Sequence, residues 1–441
     1  MPKSVIKTTK KKAGSGQEKI LFRAPRGMHD ILPEDQPWWN KARKTIDEVA
    51  DFYNFSRIDT PILEEAAIFE KGLGTTTDIV SKQMYVLRTK GGDRLVLRPE
   101  GTTGVIRAYF EHGLSRLSQP LRLYYVGSFF RYERPQAGRY RELHQVGFEM
   151  IGGEDDPIYD AQMILVSFRL AEELKIKNLI VQLNSIGCRN CRPVYRRRLQ
   201  EYYRKMSSGV CKDCRARLNL NPLRLLDCKE ENCEKVKSGA PTIINHLCQS
   251  CRSHFKAVLE YLDELGLPYT LNAYLVRGLD YYNRTVFEIS SENNASFAFG
   301  GGGRYDYLGE IIGKRKTPLP AVGSALGMER LIEEMRSRGV NGTLRSRGRV
   351  FLVQIGSPAK IKALGLIEKF REANIKALES LGRASFKSQL RIADKEGVDL
   401  SLILGQREVF EDSIIIRDMK SGNQETVPIG KMVEEVKRRL K

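Results

Sequence analysis

The stretch Leu121-Arg-Leu-Tyr-Tyr-Val-Gly-Ser-Phe-Phe-Arg131, with the loop Arg134-Pro-Gln-Ala-Gly-Arg-Tyr-Arg141 and the run His144-Gln-Val-Gly-Phe-Glu-Met-Ile151, decides the fold. Two runs rich in aromatic and β-branched residues flank a loop of Pro, Gly and Arg, which predicts a long antiparallel hairpin with a basic tip. Upstream, Trp38, Ala42, Ile46, Val49 and Phe52 recur at helical spacing within Asp35–Phe55. A strand is expected over Ser56–Leu63, ending near Pro61, and another over Arg94–Leu97. Downstream, residues 158–174 read as a helix and 178–184 as a strand. A cysteine-rich window then interrupts the pattern until a helix begins at about residue 256. Tyr269–Glu288 and Ala298–Gly300 are strand-like, and Val322–Met335 passes from strand to helix. Gly300–Gly303 marks a place where backbone must approach something closely.

The outer parts follow from composition. Residues 1–19 are rich in Lys, Gly and Ser and predict a disordered basic extension. Residues 20–187 and 257–336 form the two parts of one domain, and 188–256 is a basic insertion. Residues 337–349 read as a linker. From 350 to 441, strand and helix alternate, which predicts a compact α/β domain. The chain is 441 residues long, 41% hydrophobic and 29% charged, which excludes global disorder. No apolar run approaches the roughly 20 residues of a bilayer span. The first nineteen residues lack the apolar segment of a secretory signal, so the expected location is cytoplasmic.

The net charge is +19, and it is segregated. Residues 1–19 carry +5, 188–256 carry +10 and 345–441 carry +7, leaving −3 for the rest. A near-neutral body with three basic appendages suits an enzyme acting on nucleic acid better than a uniformly basic packaging protein. A simple solubility excess is the plainer alternative.

All eight cysteines lie within the insertion, as the close pairs Cys188/Cys191, Cys211/Cys214, Cys228/Cys233 and Cys248/Cys251. In a reducing compartment such pairs are poorly explained by disulfides and well explained by two structural Zn²⁺ sites of four thiolates each. Buried cysteines without metal are the alternative. An insertion must leave and re-enter its host at nearby points. This favours nested pairing, the first pair with the last and the two inner pairs together, although sequential pairing is also open. His246 and His254 read as surface or packing residues.

Six stretches in order make the family legible: Arg26-Gly-Met-His-Asp-Ile-Leu-Pro33, Leu97-Arg-Pro-Glu-Gly-Thr102, the loop-and-strand segment Phe130–Gln145, Arg277-Gly-Leu-Asp-Tyr-Tyr-Asn-Arg-Thr-Val-Phe-Glu288, Gly302-Gly-Arg-Tyr-Asp306 and Gly323-Ser-Ala-Leu-Gly-Met-Glu-Arg330. On these the chain resembles the histidyl-tRNA synthetases, class II aminoacyl-tRNA synthetases, from about Phe22 to the C-terminus. The resemblance implies an α+β architecture: an antiparallel catalytic sheet flanked by helices, a helical insertion and a C-terminal anticodon-binding domain. It also implies a homodimer, with ATP, histidine, tRNA(His) and Mg²⁺ as partners. The reaction would be that of a histidine–tRNA ligase, forming histidyl-adenylate and then histidyl-tRNA.

By motif position, Arg131 would hold the α-phosphate and Arg277 would bridge substrate carboxylate and α-phosphate as the main catalytic cation. Arg139 and Arg330 would hold the terminal phosphates, and Glu133 would meet the adenine edge. Glu100, Thr102 and Gln145 resemble the ammonium-binding set. Glu149 and Tyr282 would address the two imidazole nitrogens, with Tyr305 closing the pocket. Arg134 and Gln136 would touch the tRNA acceptor end. His144 reads as structural rather than as a base. Leu143 stands where many relatives carry a Phe that stacks on adenine. A catalytically silent relative, the regulatory subunit of ATP phosphoribosyltransferase, would lack both the C-terminal domain and the Arg277 motif, which this chain keeps.

Overall fold

The computed structural model describes residues 22–135, 138–292, 294–342, 349–380, 382 and 385–440. The chain forms two compact units, one ending at Gly342 and the other beginning at Thr343.

In the first unit the strands are β1 (Ser56–Arg57), β2 (Leu63–Glu65), β3 (Tyr85–Arg88), β4 (Arg94–Leu97), β5 (Leu121–Phe130), β6 (Glu142–Ile151), β7 (Leu179–Ser185), β8 (Tyr269–Leu271), β9 (Asn283–Ser291), β10 (Asn294–Arg304) and β11 (Ala321–Gly327). Eight of them form one sheet in the order β1-β5-β6-β11-β10-β9-β7-β8, and β2-β4-β3 form a small second sheet. The eight-stranded sheet is antiparallel except at its two margins, β1 with β5 and β7 with β8.

The β5–β6 hairpin runs unbroken from Leu121 opposite Ile151 to Phe130 opposite Glu142. Side chains alternate across the sheet with a period of two. Val146, Phe148 and Met150 therefore enter one core, while Tyr125 and Leu123 on β5 enter the other. The first core is covered by the helices Gln36–Phe52, Ile158–Glu173, Gln249–Glu264 and Met328–Ser337, through Ile46, Ile164, Val258 and Leu331. Phe148 and Phe287 at its centre are fully buried, and each such side chain contributes about 1.5–3 kcal/mol. The second core joins the helices Ala66–Leu73 and Thr102–Glu111 to the insertion, because Phe69, Tyr109 and Tyr305 belong to the same cluster as Tyr195, Leu225 and Cys251.

Several expectations are corrected. Ser56–Leu63 is two short strands, because β1 pairs with β5 while β2 pairs with β4. Tyr269–Glu288 is broken into β8 and β9, with residues 272–282 outside the ladder. The helix expected at about residue 256 starts at Gln249, so Cys251 lies in its first turn. Gly300–Gly303 lies inside β10, opposite Leu326 to Gly323 of β11, and the expected close approach is present: a Cβ at Gly300 would lie 2.2 Å from the Ala325 carbonyl oxygen.

In the second unit, β12 (Arg349–Gln354), β13 (Lys376–Glu379), β14 (Leu400–Leu404), β15 (Ser413–Asp418) and β16 (Gln424–Pro428) form a sheet in the order β13-β12-β14-β15-β16. Both faces are covered. Val350 and Leu352 meet Phe370 and Val436 on one side, and Phe351 and Val353 meet Ala393 on the other. All five residues of β14 are accordingly buried. The short helix Gln406–Phe410 precedes β15, and the final helix runs from Met432 to Arg439. Residues 1–19 lie outside the described residues, as do 343–348 of the expected linker. Among the described residues no helix is long and apolar enough to cross a membrane.

Candidate active site

The second core carries a polar centre. Glu149 projects from β6 and is fully buried. Its Oε1 accepts the Thr102 hydroxyl at 2.7 Å and its Oε2 accepts the Tyr305 hydroxyl at 2.6 Å. Burial pushes its pKa up to about 8, against the hydrogen bonds from Tyr305 and Thr102. Space for this carboxylate exists because Gly323 sits opposite it. A Cβ at Gly323 would lie 1.8 Å from Glu149 Oε2.

Glu100 also serves the helix Thr102–Glu111. It accepts the backbone N–H groups of Thr102 at 2.8 Å and Thr103 at 2.9 Å, satisfying two donors that the first turn leaves open. Tyr281 lies between the two tyrosines named from sequence, 4.6 Å from Tyr282 and 5.7 Å from Tyr305 by ring centroid. The Tyr281 hydroxyl reaches Glu100 at 3.4 Å. Gln145 lies on β6, and its side-chain oxygen is buried without a partner among the described residues. Tyr125 was missed. Its hydroxyl points at Glu149 from 3.5 Å, and Cβ atoms at Gly101 and Gly147 would each lie 2.2 Å from its ring. A glycine paired with an aromatic across the hairpin was the available signal, since Tyr125 is in register with Gly147.

Positive charge borders this pocket. Arg277 pairs with Glu288 of β9 and would lie 3.1 Å from a Cβ at Gly301. Burial opposes its charge, but Glu288, Tyr282 and Tyr281 raise its pKa overall. Arg131 donates Nε to the Pro99 carbonyl at 2.9 Å. Arg330 donates Nε to the Gly138 carbonyl at 3.1 Å and lies 4.8 Å over the Phe297 ring. Burial lowers the Arg330 pKa, Arg139 lowers it further and Arg131 adds to this, with Glu288 and Glu133 opposing. Arg139 stands 3.9 Å from Glu133. Arg131, Glu133 and Arg139 thus lie close enough to Arg330 to act on its charge, and Glu288 links Arg277 to the same group, so an anion there would find several guanidinium groups.

His144, read from the sequence as structural, has its Nδ1 2.7 Å from Glu329 Oε1, and its ring packs edge-on against Trp39. Leu143 packs half-buried against the second core. Arg134 is exposed, and Gln136 lies outside the described residues. His254 is buried rather than superficial, 3.5 Å from Asp160. Asp160 also pairs with the buried Arg304, whose other partners are Asp155 and Asp306.

The cysteines form two clusters, Cys188/Cys191/Cys248/Cys251 and Cys211/Cys214/Cys228/Cys233, each with its sulfurs within 4.8 Å of one another. Sulfur separations of 3.5 and 3.9 Å are far beyond a disulfide's roughly 2.05 Å. They approach the roughly 3.8 Å edge of a tetrahedron with Zn–S bonds of about 2.3 Å. Backbone N–H groups of Asn190, Cys211, Cys214 and Cys248 point at the sulfurs from 3.2–3.4 Å, favouring thiolate charge. The donor set fits two closed four-thiolate sites.

Comparison with known proteins bears directly on this geometry. A family profile described as histidyl-tRNA synthetase matches residues 27–192 and 198–331, and one described as anticodon binding domain matches 349–439. The chain belongs to the histidyl-tRNA synthetase family. It is 44% identical over 421 residues to a histidine–tRNA ligase of Dehalococcoides mccartyi, covering 95% of this chain and 100% of the relative. It is 43% identical to that of Halothermothrix orenii over 94% of this chain and 99% of the relative. The crystal structure of apo histidyl-tRNA synthetase from Staphylococcus aureus superposes with a TM-score of 0.77 at 32% identity, covering 94% of this chain and 99% of that one. A Bacillus halodurans structure titled as ATP phosphoribosyltransferase regulatory subunit/histidyl-tRNA synthetase shares the fold at a TM-score of 0.61, with 21% identity over 88% of this chain and 98% of that one. The class II synthetase fold and a C-terminal anticodon-binding domain are therefore features of this chain.

Proposed function

We propose that this synthetase-family chain activates histidine with ATP and transfers it to the 3′ end of tRNA(His). The observation carrying this reading is a buried carboxylate, Glu149, framed by the hydroxyls of Thr102 and Tyr305 beside a set of guanidinium groups. One end suits an imidazole and the other a triphosphate. In-line attack of the histidine carboxylate on the α-phosphorus requires little proton transfer. The barrier falls through positioning and stabilisation of negative charge on the phosphoryl oxygens.

Arg131 would hold the α-phosphate and Arg277 would join that phosphate to the histidine carboxylate. Arg139 and Arg330 would hold the terminal phosphates, and Glu133 would take the adenine edge. ATP would bind as its Mg²⁺ complex, the ion offsetting part of the phosphate charge. Gln145, whose buried oxygen is without a partner among the described residues, would bind the substrate ammonium together with Glu100 and Thr102. Glu149 and Tyr282 would grip opposite imidazole nitrogens, and Tyr305 would fix Glu149 and close the wall. Such a pocket rejects phenylalanine or leucine because its polar groups would be left unpaired, a penalty that can reach roughly 10⁴–10⁵ in specificity.

The basic insertion would meet the acceptor stem through phosphates, with Arg134 and Gln136 near the acceptor end. The C-terminal unit would read unpaired anticodon bases. Two structural Zn²⁺ ions would hold the insertion, and the active species would be a cytoplasmic homodimer. The test is aminoacylation with labelled histidine, ATP and total tRNA. Acid-precipitable histidine is expected, and none at saturating tRNA would overturn the reading.

A further inference from the structure

Arg277 to Tyr282 lie between β8 and β9, outside the sheet ladder. The ladder therefore does not fix the segment that carries the main catalytic cation and one imidazole-facing tyrosine. Anchors from elsewhere are needed, and the cysteine-rich insertion supplies two directly and a third through the loop that carries Asp78.

The first is Arg192, the residue after Cys191. Its guanidinium donates to the backbone carbonyl of Tyr282. It makes no ion pair among the described residues. Burial lowers its pKa and the nearby charge of Asp280 supports it. Arg192 is half-buried and its Nε has no partner among the described residues, so the bond to the Tyr282 carbonyl is what holds the cation there, and its position argues for a specific task. The second is Asn221, whose amide donates to Asp280 Oδ1 at 2.8 Å. Asp280 also accepts the Thr76 hydroxyl at 3.2 Å, and its own backbone N–H reaches the Leu73 carbonyl. The third is the pair Arg217 and Arg224, which hold Asp78 at 2.9 and 2.8 Å.

Loop residues 74–78 are thus clamped between the insertion and the motif. Gly74 allows the close approach: its φ is +89°, and a Cβ there would sit 2.5 Å from Asp280 Oδ2. The apolar interior agrees, since Leu225 and Cys251 of the insertion share one core with Tyr281 and Tyr282.

We propose that Arg192 and Asn221 are positioning residues for histidine, through which the folded insertion sets the 277–282 segment. The insertion then acts on the first chemical step as well as on tRNA. The inference rests on the histidine-activation reading. The two fail separately, because wild-type exchange with histidine tests that reading and variant-to-wild-type ratios test this one.

The experiment is ATP–pyrophosphate exchange on the full chain with Arg192→Met, Arg192→Lys and Asn221→Ala, with histidine binding by calorimetry and melting curves alongside. Arg192→Met should raise the histidine KM and Kd by about tenfold or more and leave the ATP KM within about twofold. Arg192→Lys keeps the charge and should recover part of the loss. Asn221→Ala should raise the histidine KM about threefold, and it carries the test if Arg192→Met does not fold. Unchanged histidine KM and Kd in the folded variants would overturn the proposal, as would equal rises in both KM values without rescue by lysine.

Discussion

The two halves of the proposed active site are built on opposite principles. In the histidine half, the two carboxylates are already satisfied, Glu149 by Thr102 and Tyr305 and Glu100 by the first turn of a helix, while Gln145 keeps a buried oxygen without a partner among the described residues. In the phosphate half, Arg131 and Arg330 are held by backbone carbonyls and make no ion pairs among the described residues. A small neutral ring needs a pre-formed, dry pocket, because its selection depends on unpaired groups being costly. A flexible polyanion needs surplus positive charge. The first half should tolerate change poorly in shape, and the second poorly in charge.

The largest effect should come from the charge side. Arg277→Gln should lower kcat for pyrophosphate exchange by about 10²–10³-fold, with melting followed in parallel. A loss below about threefold would move the catalytic role away from this residue. On the shape side, Gly323→Ala forces a methyl into the space of Glu149 Oε2. It should lower kcat/KM for histidine by about 10²-fold while changing the ATP KM little, which separates the halves kinetically.

Protonation sharpens the contrast further. Burial raises the folded-state pKa of Glu149 to about 8 from an ordinary 4.5. A raised carboxyl pKa means that the folded state binds the extra proton between these values. This contribution to stability is therefore full below the ordinary pKa and lost as pH rises toward and through 8. The ligand-free protein should melt a few degrees lower at pH 9 than at pH 6, and Glu149→Gln should flatten that slope. An identical slope in the variant would place the titration elsewhere. The smallest effect belongs to the exposed Arg134: Arg134→Ala should raise the tRNA KM about two- to threefold, more at low salt than at high salt, without altering exchange.

The hairpin was legible because two aromatic and β-branched runs flank a loop of turn residues, and β5 and β6 match the expected strands to within one or two residues. The order of strands across the sheet was not, since β11 inserts next to β6 through pairings remote in sequence. Among site residues, Glu149 and Tyr305 could be named from motifs. Tyr125 reads as an ordinary strand aromatic until Gly147 is seen opposite it. Asp78 and Asn221 have no local signature, and Asp280 is one position of a longer motif, because their meaning lies in side-chain contacts across 59 to 204 positions. The helix Thr102–Glu111 was hidden behind its own motif: Glu100 reads as a ligand-binding acid, and it is also the helix's capping group.

The most direct measurement is ATP–pyrophosphate exchange with each of the twenty amino acids supplied singly to the purified protein. Exchange with histidine alone is predicted, at least about 10³-fold above every other amino acid. Exchange with another amino acid at a comparable rate, or none with histidine at saturating ATP, would contradict the account.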